Sequence, residues 1–237
     1  DENYITPAAI QFILALITSE ETKSDIPEPS KKLVLKPNVP YENYKNNFSK
    51  IKKHIFDGDC YQINYSINFE SEDNQVSAWD NYVYLRKLNA NPFSCYFRVS
   101  KDFTVLSFSP ERFIKITSQD DNYIVKTEPI KGTRKRFADP LLDNQAINDL
   151  KHSLKDRAEN IMITDLMRND LNKHCIPGTV KTTAICELKT FATVHHLVSS
   201  IEGVLQPNVT SLELFKSCFP GGSITGAPKI RAMQIIQ

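Results

Sequence analysis

A lysine, Lys131, lies in a short turn that directly follows a run of β-branched residues. The run FIKITSQDDNYIVK is typical of strands, and Pro129 and Gly132 mark the turn in the sequence TEPIKGT. An amine at the end of a strand can reach a bound ligand, and in its neutral form it is a nucleophile. The cations at positions 134–136 crowd its charge, which favours the neutral form. The alternative is a solvated lysine in a basic, anion-attracting surface.

Two carboxylates lie in settings that suit acid or metal chemistry. Glu111 follows Pro110 at a predicted strand end, where it either pairs with Arg112 on the surface or, if buried, donates a proton. Glu159 lies in a predicted helix, with Asp156 on the same face. These two helical carboxylates either form a solvated acidic face or bind Mg²⁺, which prefers oxygen ligands.

A glycine-rich loop, PGGSITGAPK, precedes a predicted helix that starts at Pro228. Gly221 and Gly226 have the separation found in phosphate-binding P-loops, but Ala227-Pro228 occupies the place of the required Lys-Ser/Thr. The sequence therefore argues against a nucleotide site. Backbone donors at a helix start still favour an anion such as a carboxylate. The alternative is a plain helix N-terminus with proline in the first turn.

The composition is that of a globular chain with balanced charge. It has 237 residues, 41% of them hydrophobic, and a formal net charge of +1. This balance gives no reason to expect nucleic acid or a membrane as partner. Five scattered cysteines without a C-x-x-C pair indicate free thiols in the cytoplasm. The apolar run AAIQFILALI is too short to span a bilayer and predicts a buried element.

The pattern of elements favours an α+β fold. Prolines among charges at 22–40 predict a linker, so residues 1–43 are interpreted as an N-terminal segment and 44–237 as one domain. Apolar spacing predicts helices at 41–58, 143–173 and 212–218. Alternation and β-branched runs predict strands at 60–70, 179–186 and 191–205 and pairs of strands at 93–108 and 111–128. Antiparallel runs broken by helices argue against a doubly wound sheet.

Three long stretches together resemble the chorismate-utilising enzymes. They are TEPIKGT, KDRAENIMITDLMRND and FPGGSITGAPKIRAM, and the resemblance extends over about residues 44–237. It implies two antiparallel sheets packed on each other with helices outside. Family members continue beyond GAPKIRAMQII with a segment that supplies further metal-binding glutamates and substrate contacts. The domain is therefore expected to be incomplete at its C-terminus and, as a fragment, to bind Mg²⁺ and chorismate poorly.

The resemblance also implies roles for individual residues. Lys131 matches the nucleophile that attacks carbon 2 of chorismate, Glu111 the acid that protonates the departing carbon-4 hydroxyl, and Glu159 a Mg²⁺ ligand. Gln62 stands where the isochorismate-forming members have a water-activating lysine, which favours ammonia over water as the second nucleophile. His196 is expected to face the site and His195 to be structural. The implied substrate contacts are Gln62, Thr133, His196, Gly222, Ser223, Thr225 and Lys229.

These matches lead to one favoured function and three alternatives. The favoured one is amination of chorismate at carbon 4, with ammonia from a separate glutamine amidotransferase subunit. Anthranilate-forming members usually have alanine at the position of Lys131, so anthranilate formation is the first alternative. The others are a non-catalytic fragment that only binds a ligand or partner, and a nucleotide-binding module at the glycine-rich loop.

Overall fold

The chain alternates between antiparallel strands and helices. The computed structural model describes residues 34–71, 77–89 and 91–237. Its strands are β1 (Lys36–Pro37), β2 (Gln62–Ile63), β3 (Phe69–Glu70), β4 (Phe93–Arg98), β5 (Thr104–Ser109), β6 (Arg112–Gln119), β7 (Asn122–Glu128), β8 (Ile130–Lys135), β9 (Lys181–Thr190), β10 (Val194–Val204) and β11 (Gly226–Ala227). Its helices are α1 (Tyr41–Phe56), α2 (Ala78–Leu88), α3 (Pro140–His152), α4 (Leu154–Asn172), α5 (Ser211–Cys218), α6 (Gly222–Thr225) and α7 (Lys229–Ile236). The paired strands are antiparallel, which confirms the α+β prediction.

The strand β10 lies at the centre of a five-stranded sheet. One edge of β10 pairs with β9, and the other pairs with β8 along its first half and with β7 along its second half. The strand β6 extends the sheet beyond β7. Thus β7 and β8 nearly form one strand, interrupted at Pro129, whose carbonyl accepts a 3.1 Å hydrogen bond from the Ser199 N–H. Three two-stranded sheets join β1 with β3, β4 with β5, and β2 with β11.

A β-bulge interrupts the pairing of β8 with β10. Between the pairs Ile130–Val198 and Thr133–His196, β8 has two residues, Lys131–Gly132, and β10 has one. Such a bulge bends the strand and changes the direction of the side chains. The glycine has a φ of 90°, which glycine adopts without the steric penalty that a Cβ atom imposes. The bulge is therefore the backbone feature that sets the direction of the lysine.

The helix α4 covers one face of the sheet and completes the core. Buried apolar residues from α4, β7, β10 and α5 pack together there: Val125, Ile163, Met167, Leu171, Cys175, Ile201, Leu205, Leu214 and Cys218. A buried polar group adds a directional contact. Asn160 of α4 donates to the Leu197 carbonyl at 3.0 Å and accepts a hydrogen bond from the Ser199 hydroxyl. Because both polar groups of this amide are satisfied, α4 is held in one position along β10.

Local sequence signals determine where the elements begin and turn. Asp139 caps α3 and Ser153 caps α4, each through a side chain that accepts backbone N–H groups. Thr210 and Glu213 form a reciprocal capping box at the start of α5. The β6–β7 hairpin turns at Asp120–Asp121, where both residues have positive φ, as a two-residue hairpin turn of this hand requires.

Most of the predicted elements within the described ranges are confirmed. The helix at 41–58 and the two hairpins at 93–108 and 111–128 are present, and the helical region at 143–173 is two helices that meet at Ser153. The strand expected at 60–70 is largely wrong, because only β2 and β3 pair there. Its alternating pattern lacks a long partner strand, so the middle of the run stays irregular.

Some predictions are not tested by this fold. The apolar run AAIQFILALI lies outside the described residues, and the division at residue 43 stays a prediction. A bilayer-spanning segment is absent from the helices of the described ranges.

The bulge gives a stability prediction for Gly132→Ala. A Cβ at this glycine would lie 2.9 Å from the Asp156 Cβ and 3.1 Å from the Leu150 Cδ1. Strained φ and the contacts with α4 and α3 should together lower the free energy of unfolding by about 2–4 kcal/mol. The matched control is Gly178→Ala, which has a similar φ of 80° but no atom within 4 Å of a built Cβ, so only about 1–2 kcal/mol is expected. Equal losses in urea unfolding would mean that β8 does not lie this close to α4.

Candidate active site

A cavity of about 330 Å³ lies where β6, α4 and the glycine-rich loop meet. Its lining residues are Ser109, Pro110, Glu111, Arg112, Phe113, Met167, Phe219, Gly221, Ser223 and Ile224. Most of this lining is apolar, and the carboxyl group of Glu111 and the Ser223 side chain provide polar groups within it. A mostly apolar cavity with a few converging polar groups is the usual form of a small-molecule site.

Two predicted site residues, Glu111 and Ser223, line this cavity, and a third, Lys131, contacts the Ser223 backbone. The Lys131 ammonium donates to the Ser223 carbonyl, with Nζ 3.3 Å from the oxygen. The Ser223 side chain forms a hydrogen bond with the Glu111 carboxyl group, and the charge of Lys131 also acts on that group. Ser223 therefore joins the amine and the acid, although Lys131 and Ser223 are 92 residues apart in the sequence. The amide of Asn64 donates to the same carbonyl at 3.2 Å.

The environment of Glu111 favours its protonated form. Burial is the largest effect and raises the pKa of this carboxyl group above its usual value. The hydrogen bond from Ser223, the charge of Lys131 and the Ile130 backbone N–H lower the pKa, but they do not cancel the effect of burial. Glu111 consequently keeps its proton to a higher pH than a solvated glutamate does, as a general acid must.

His196 lies beside the bulge that contains Lys131. Its Nδ1 is 2.8 Å from the Thr133 hydroxyl, and its ring packs edge-on against Phe191. Burial is the main reason that the pKa of His196 is lowered, and a hydrogen bond with the Gly132 backbone opposes this shift. The imidazole is therefore neutral at pH 7 and can exchange a hydrogen bond with Thr133. The two predicted contacts, Thr133 and His196, are thus partners of each other.

His195, by contrast, is a structural residue. It is fully buried, with Nε2 2.9 Å from an Asp143 carboxylate oxygen and Nδ1 2.9 Å from the Thr190 hydroxyl. These partners tie β10 to α3 and β9. The two adjacent histidines therefore have separate surroundings, as alternation along a strand predicts.

The cations that follow Lys131 do not crowd it as the sequence suggested. Arg134 pairs with Asp156 at 3.1 Å, and Arg136 lies 3.6 Å from Asp143. Each guanidinium is thus offset by a carboxylate from another element.

The oxygen atoms of Glu159 suit Mg²⁺, but they belong to a single carboxylate. Glu159 is half-buried on α4, one turn after Asp156, and its ion pair with Lys155 is a loose one at 3.8 Å. Asp156 is engaged with Arg134. Within the described ranges, no group of three or more His, Cys, Asp or Glu side chains could hold a metal ion. A Mg²⁺ ion at Glu159 would therefore need water, substrate or further protein oxygens.

The glycine-rich loop packs closely on its surroundings. A Cβ at Gly222 would lie 2.4 Å from the Leu166 Cδ2, so this position needs glycine to approach α4. The Thr225 hydroxyl donates to the Gly221 carbonyl at 3.0 Å and is buried. Gln62 pairs with Ala227 beside this loop, and its Oε1 is buried without a hydrogen-bond partner in the described part of the chain. Substrate contacts of Gln62, Gly222 and Thr225 stay predictions.

Lys229 is engaged with the protein rather than the cavity. Its ammonium lies 2.7 Å from an Asp170 carboxylate oxygen and 3.3 Å from each of the carbonyls of Cys218 and Pro220. It is not among the residues that line the cavity. The predicted contact between Lys229 and substrate stays untested, but its observed contacts are with α4 and the loop.

Comparison with known protein families agrees with the resemblance. Residues 3–237 match the family described as chorismate binding enzyme. The chain belongs to this family of chorismate binding enzymes.

Several relatives in this family have established names. The chain is 44% identical over 193 residues to aminodeoxychorismate synthase component 1 of Salmonella typhimurium, covering 81% of this chain and 41% of that protein. It is 42% identical over 199 residues to the Escherichia coli protein of the same name, covering 84% and 43%. It is also 37% identical over 235 residues to anthranilate synthase component 1 of Saccharomyces cerevisiae, covering 97% and 45%. The chain thus spans less than half the length of these relatives.

A solved family structure confirms the fold. Anthranilate synthase component I from Streptococcus pneumoniae superimposes with a TM-score of 0.79 at 27% sequence identity, over 97% of this chain and 49% of the other. The helices and antiparallel sheets therefore form the arrangement of a chorismate binding enzyme.

The structure adds two residues to the site that the sequence did not indicate. Asn64 was part of the alternating run interpreted as a strand, yet its amide contacts the Ser223 carbonyl. Asp170 lies within one of the family-like stretches, and its carboxylate is buried against Lys229. The sequence signal for Asp170 was a charged residue among the apolar positions of a helix. A buried charge needs a partner, so this signal could have predicted an ion pair there.

The coupling at Ser223 predicts how Glu111 titrates. Ser223→Ala and Lys131→Met should each raise the pKa of Glu111 further, because each removes a group that stabilises the carboxylate. The pKa can be measured by ¹³C NMR titration of glutamate-labelled protein, with Glu111→Gln to assign the signal. Ser211→Ala, at the start of α5, is the control and should change nothing. A wild-type pKa at or below that of a free glutamate, ~4.3, would contradict this description of the site.

Proposed function

We propose that the chain is the catalytic part of an aminodeoxychorismate synthase component I. The reaction is chorismate plus ammonia to 4-amino-4-deoxychorismate plus water. Family membership supports chorismate as the substrate, and the names of the bacterial relatives support this reaction. The observation that carries the proposal is the meeting of Lys131 and Glu111 at Ser223, since the two-step route needs an amine and an acid at one site.

In the proposed first step, the Lys131 amine bonds to carbon 2 of chorismate. The ring double bond shifts, and the carbon-4 C–O bond breaks as Glu111 donates a proton, so that the hydroxyl leaves as water. In the second step, ammonia bonds to carbon 4, the double bond shifts back, and the bond from carbon 2 to Lys131 breaks. Protons released by the two nitrogens restore Glu111 and the lysine. This route uses Glu111 as acid and Lys131 as nucleophile.

The number of protons that Lys131 and Glu111 share suits their roles as nucleophile and acid. A charged lysine with a carboxylate holds the same number of protons as a neutral amine with a carboxylic acid. One transfer from Lys131 to Glu111 therefore produces the reactive form. Burial of Glu111, which raises its pKa, favours the neutral pair. Activity should consequently increase as the pH rises through the pKa of Glu111. It should persist as long as Lys131 and Glu111 together hold one proton.

The remaining predicted contacts, apart from Lys229, would bind substrate. The Gly222, Ser223 and Thr225 loop is proposed to face a ring carboxylate, and the Thr133–His196 pair to contact the substrate near the bulge. Gln62 cannot act as a base, which favours ammonia over activated water as the nucleophile. Its buried, unpartnered Oε1 is an acceptor for an N–H donor.

The cofactor, partner and compartment complete the proposal. Mg²⁺ would be held in part by Glu159 and would neutralise carboxylate charge on chorismate. Ammonia would come from a separate glutamine amidotransferase subunit, consistent with the name component 1 that the bacterial relatives have. The five free thiols suit a reducing cytoplasm.

Anthranilate formation is the second candidate. The yeast relative with that name matches 97% of this chain, a larger share than the bacterial relatives do. Lys131 argues against it, because a family member that aminates carbon 2 directly needs no lysine there. The product distinguishes the two, since anthranilate forms without a further lyase and is fluorescent.

The test is the intact mass of the natural full-length protein after incubation with chorismate and Mg²⁺ without ammonia. We expect an added mass equal to chorismate less water, because Lys131 remains bonded to carbon 2 until ammonia arrives. Lys131→Ala should show no adduct and lose at least about 100-fold in ammonia-dependent turnover.

The matched control is Lys135→Ala, which removes an exposed lysine from the same strand. It should keep both the adduct and the turnover. Ammonia-dependent turnover that survives in Lys131→Ala without any adduct would remove Lys131 as the nucleophile. Neither adduct nor turnover in the wild type would favour a non-catalytic chorismate-binding role.

A further inference from the structure

The ammonium of Lys229 has three acceptors, and all belong to the protein. One is the Asp170 carboxylate at 2.7 Å, and the other two are the carbonyls of Cys218 and Pro220, both at 3.3 Å. A lysine ammonium has three N–H donors, so this set uses every one. Since the side chain is only 12% exposed, water competes little for these donors.

Asp170 anchors this lysine to α4. Its side chain is 2% exposed, and its second oxygen accepts a 3.0 Å bond from Lys173, whose side chain is 53% exposed. A buried carboxylate with one buried and one exposed cation is well satisfied. The buried contact, from Lys229, connects Asp170 to the glycine-rich loop. The exposed contact comes from Lys173, which directly follows α4, so it connects Asp170 only to the end of its own helix. The two lysines therefore differ in what they can position.

The two carbonyls bound by Lys229 lie at the start of the glycine-rich loop. They flank Phe219, between the end of α5 and the start of the Gly221–Gly222 turn. The turn then packs on Leu166 of α4 and delivers Ser223 to Lys131 and Glu111. Lys229 is the first residue of α7, at the far end of this loop, and its ammonium binds the carbonyls at the start of the loop. Because Lys229 is itself bound to Asp170, both ends of the loop are attached to that one side chain of α4.

We propose that Lys229 and Asp170 are a pair of positioning residues that hold residues 218–223 so that Ser223 can orient Lys131 and Glu111. The pair acts through the loop and does not contact the substrate. The inference rests on the proposed function, because it assigns the roles of Lys131 and Glu111. It differs from the role that the sequence alone suggested for Lys229, which was to bind the substrate carboxylate.

The central variant is the double substitution Lys229→Met with Asp170→Asn. Lys229→Met leaves the buried Asp170 carboxylate with only its exposed partner Lys173, and Asp170→Asn leaves the buried Lys229 ammonium without a carboxylate, so each single variant should unfold at lower temperature. The double variant removes both charges, conserves net charge and should regain most of the lost Tm. It still lacks the donors to the Cys218 and Pro220 carbonyls. We therefore expect kcat to remain reduced by at least about tenfold, with KM for chorismate changed less than about threefold.

A second readout follows the site without depending on turnover. A displaced loop weakens the hydrogen bond from Ser223 to Glu111, and that bond lowers the pKa of Glu111. In the double variant, the Glu111 signal in ¹³C NMR should titrate at higher pH than in the wild type. The acid limb of the pH–kcat profile should move in the same direction. A role in stability alone would leave both unchanged once the Tm is restored.

Lys173→Met is the matched control, because it removes the other lysine on Asp170 without touching the loop. It should keep kcat within about twofold of the wild type and leave the titration of Glu111 unchanged. Recovery of kcat and of the Glu111 titration in the double variant would overturn the inference. A large rise in KM for Lys229→Met with no effect of Asp170→Asn would also overturn it, in favour of direct substrate binding.

Failure of the proposed function gives a different result. Wild-type protein without ammonia-dependent chorismate turnover would refute the proposed reaction, whatever the variants do. The NMR titration would still decide whether Lys229 and Asp170 position Ser223 against Glu111.

Discussion

The burial of β10 is the constraint on which the site depends. Residues 195–201 are all buried, with β9 on one edge, β8 and β7 on the other, and α4 across the face. A strand paired on both edges cannot shift its register without losing a full ladder of hydrogen bonds. Asn160 then fixes α4 to the same strand. The bulge at Lys131–Gly132 therefore has one position relative to α4, and the lysine has one direction.

The proposed chemistry depends on a second feature, the convergence of three remote segments on Ser223. Lys131 comes from the bulge, Glu111 from the start of β6, and Asn64 from the segment after β2. Each contact is weak by itself. Together they place an amine beside an acid of raised pKa at the edge of a largely apolar cavity, where burial strengthens the electrostatic effect of each group on the other. The glycine at position 222 permits this convergence, since no larger residue could lie so close to Leu166.

The fold was predictable wherever the signal was local. The apolar spacing of α1, the caps of α3 and α4 and the Asp120–Asp121 turn are each encoded within a few neighbouring residues. The run at 60–70 shows the limit of such signals. Its alternation suits a strand, but a strand also requires a partner of matching length, and the partner of β2 is only the two residues of β11. Pairing partners are a property of the tertiary structure.

The sequence by itself determined the chemical types at the site and the family. It indicated the amine Lys131, the acid Glu111 and the loop that contains Ser223, because family-like motifs and turn residues are read from neighbours in the chain. Only the tertiary structure decided which of these groups meet. It showed that Lys229 is directed at Asp170, 59 residues away, rather than towards the cavity. A buried charge needs a partner, and a long side chain turns towards the buried charge that it can neutralise. Which charges are buried is decided only when the chain has packed.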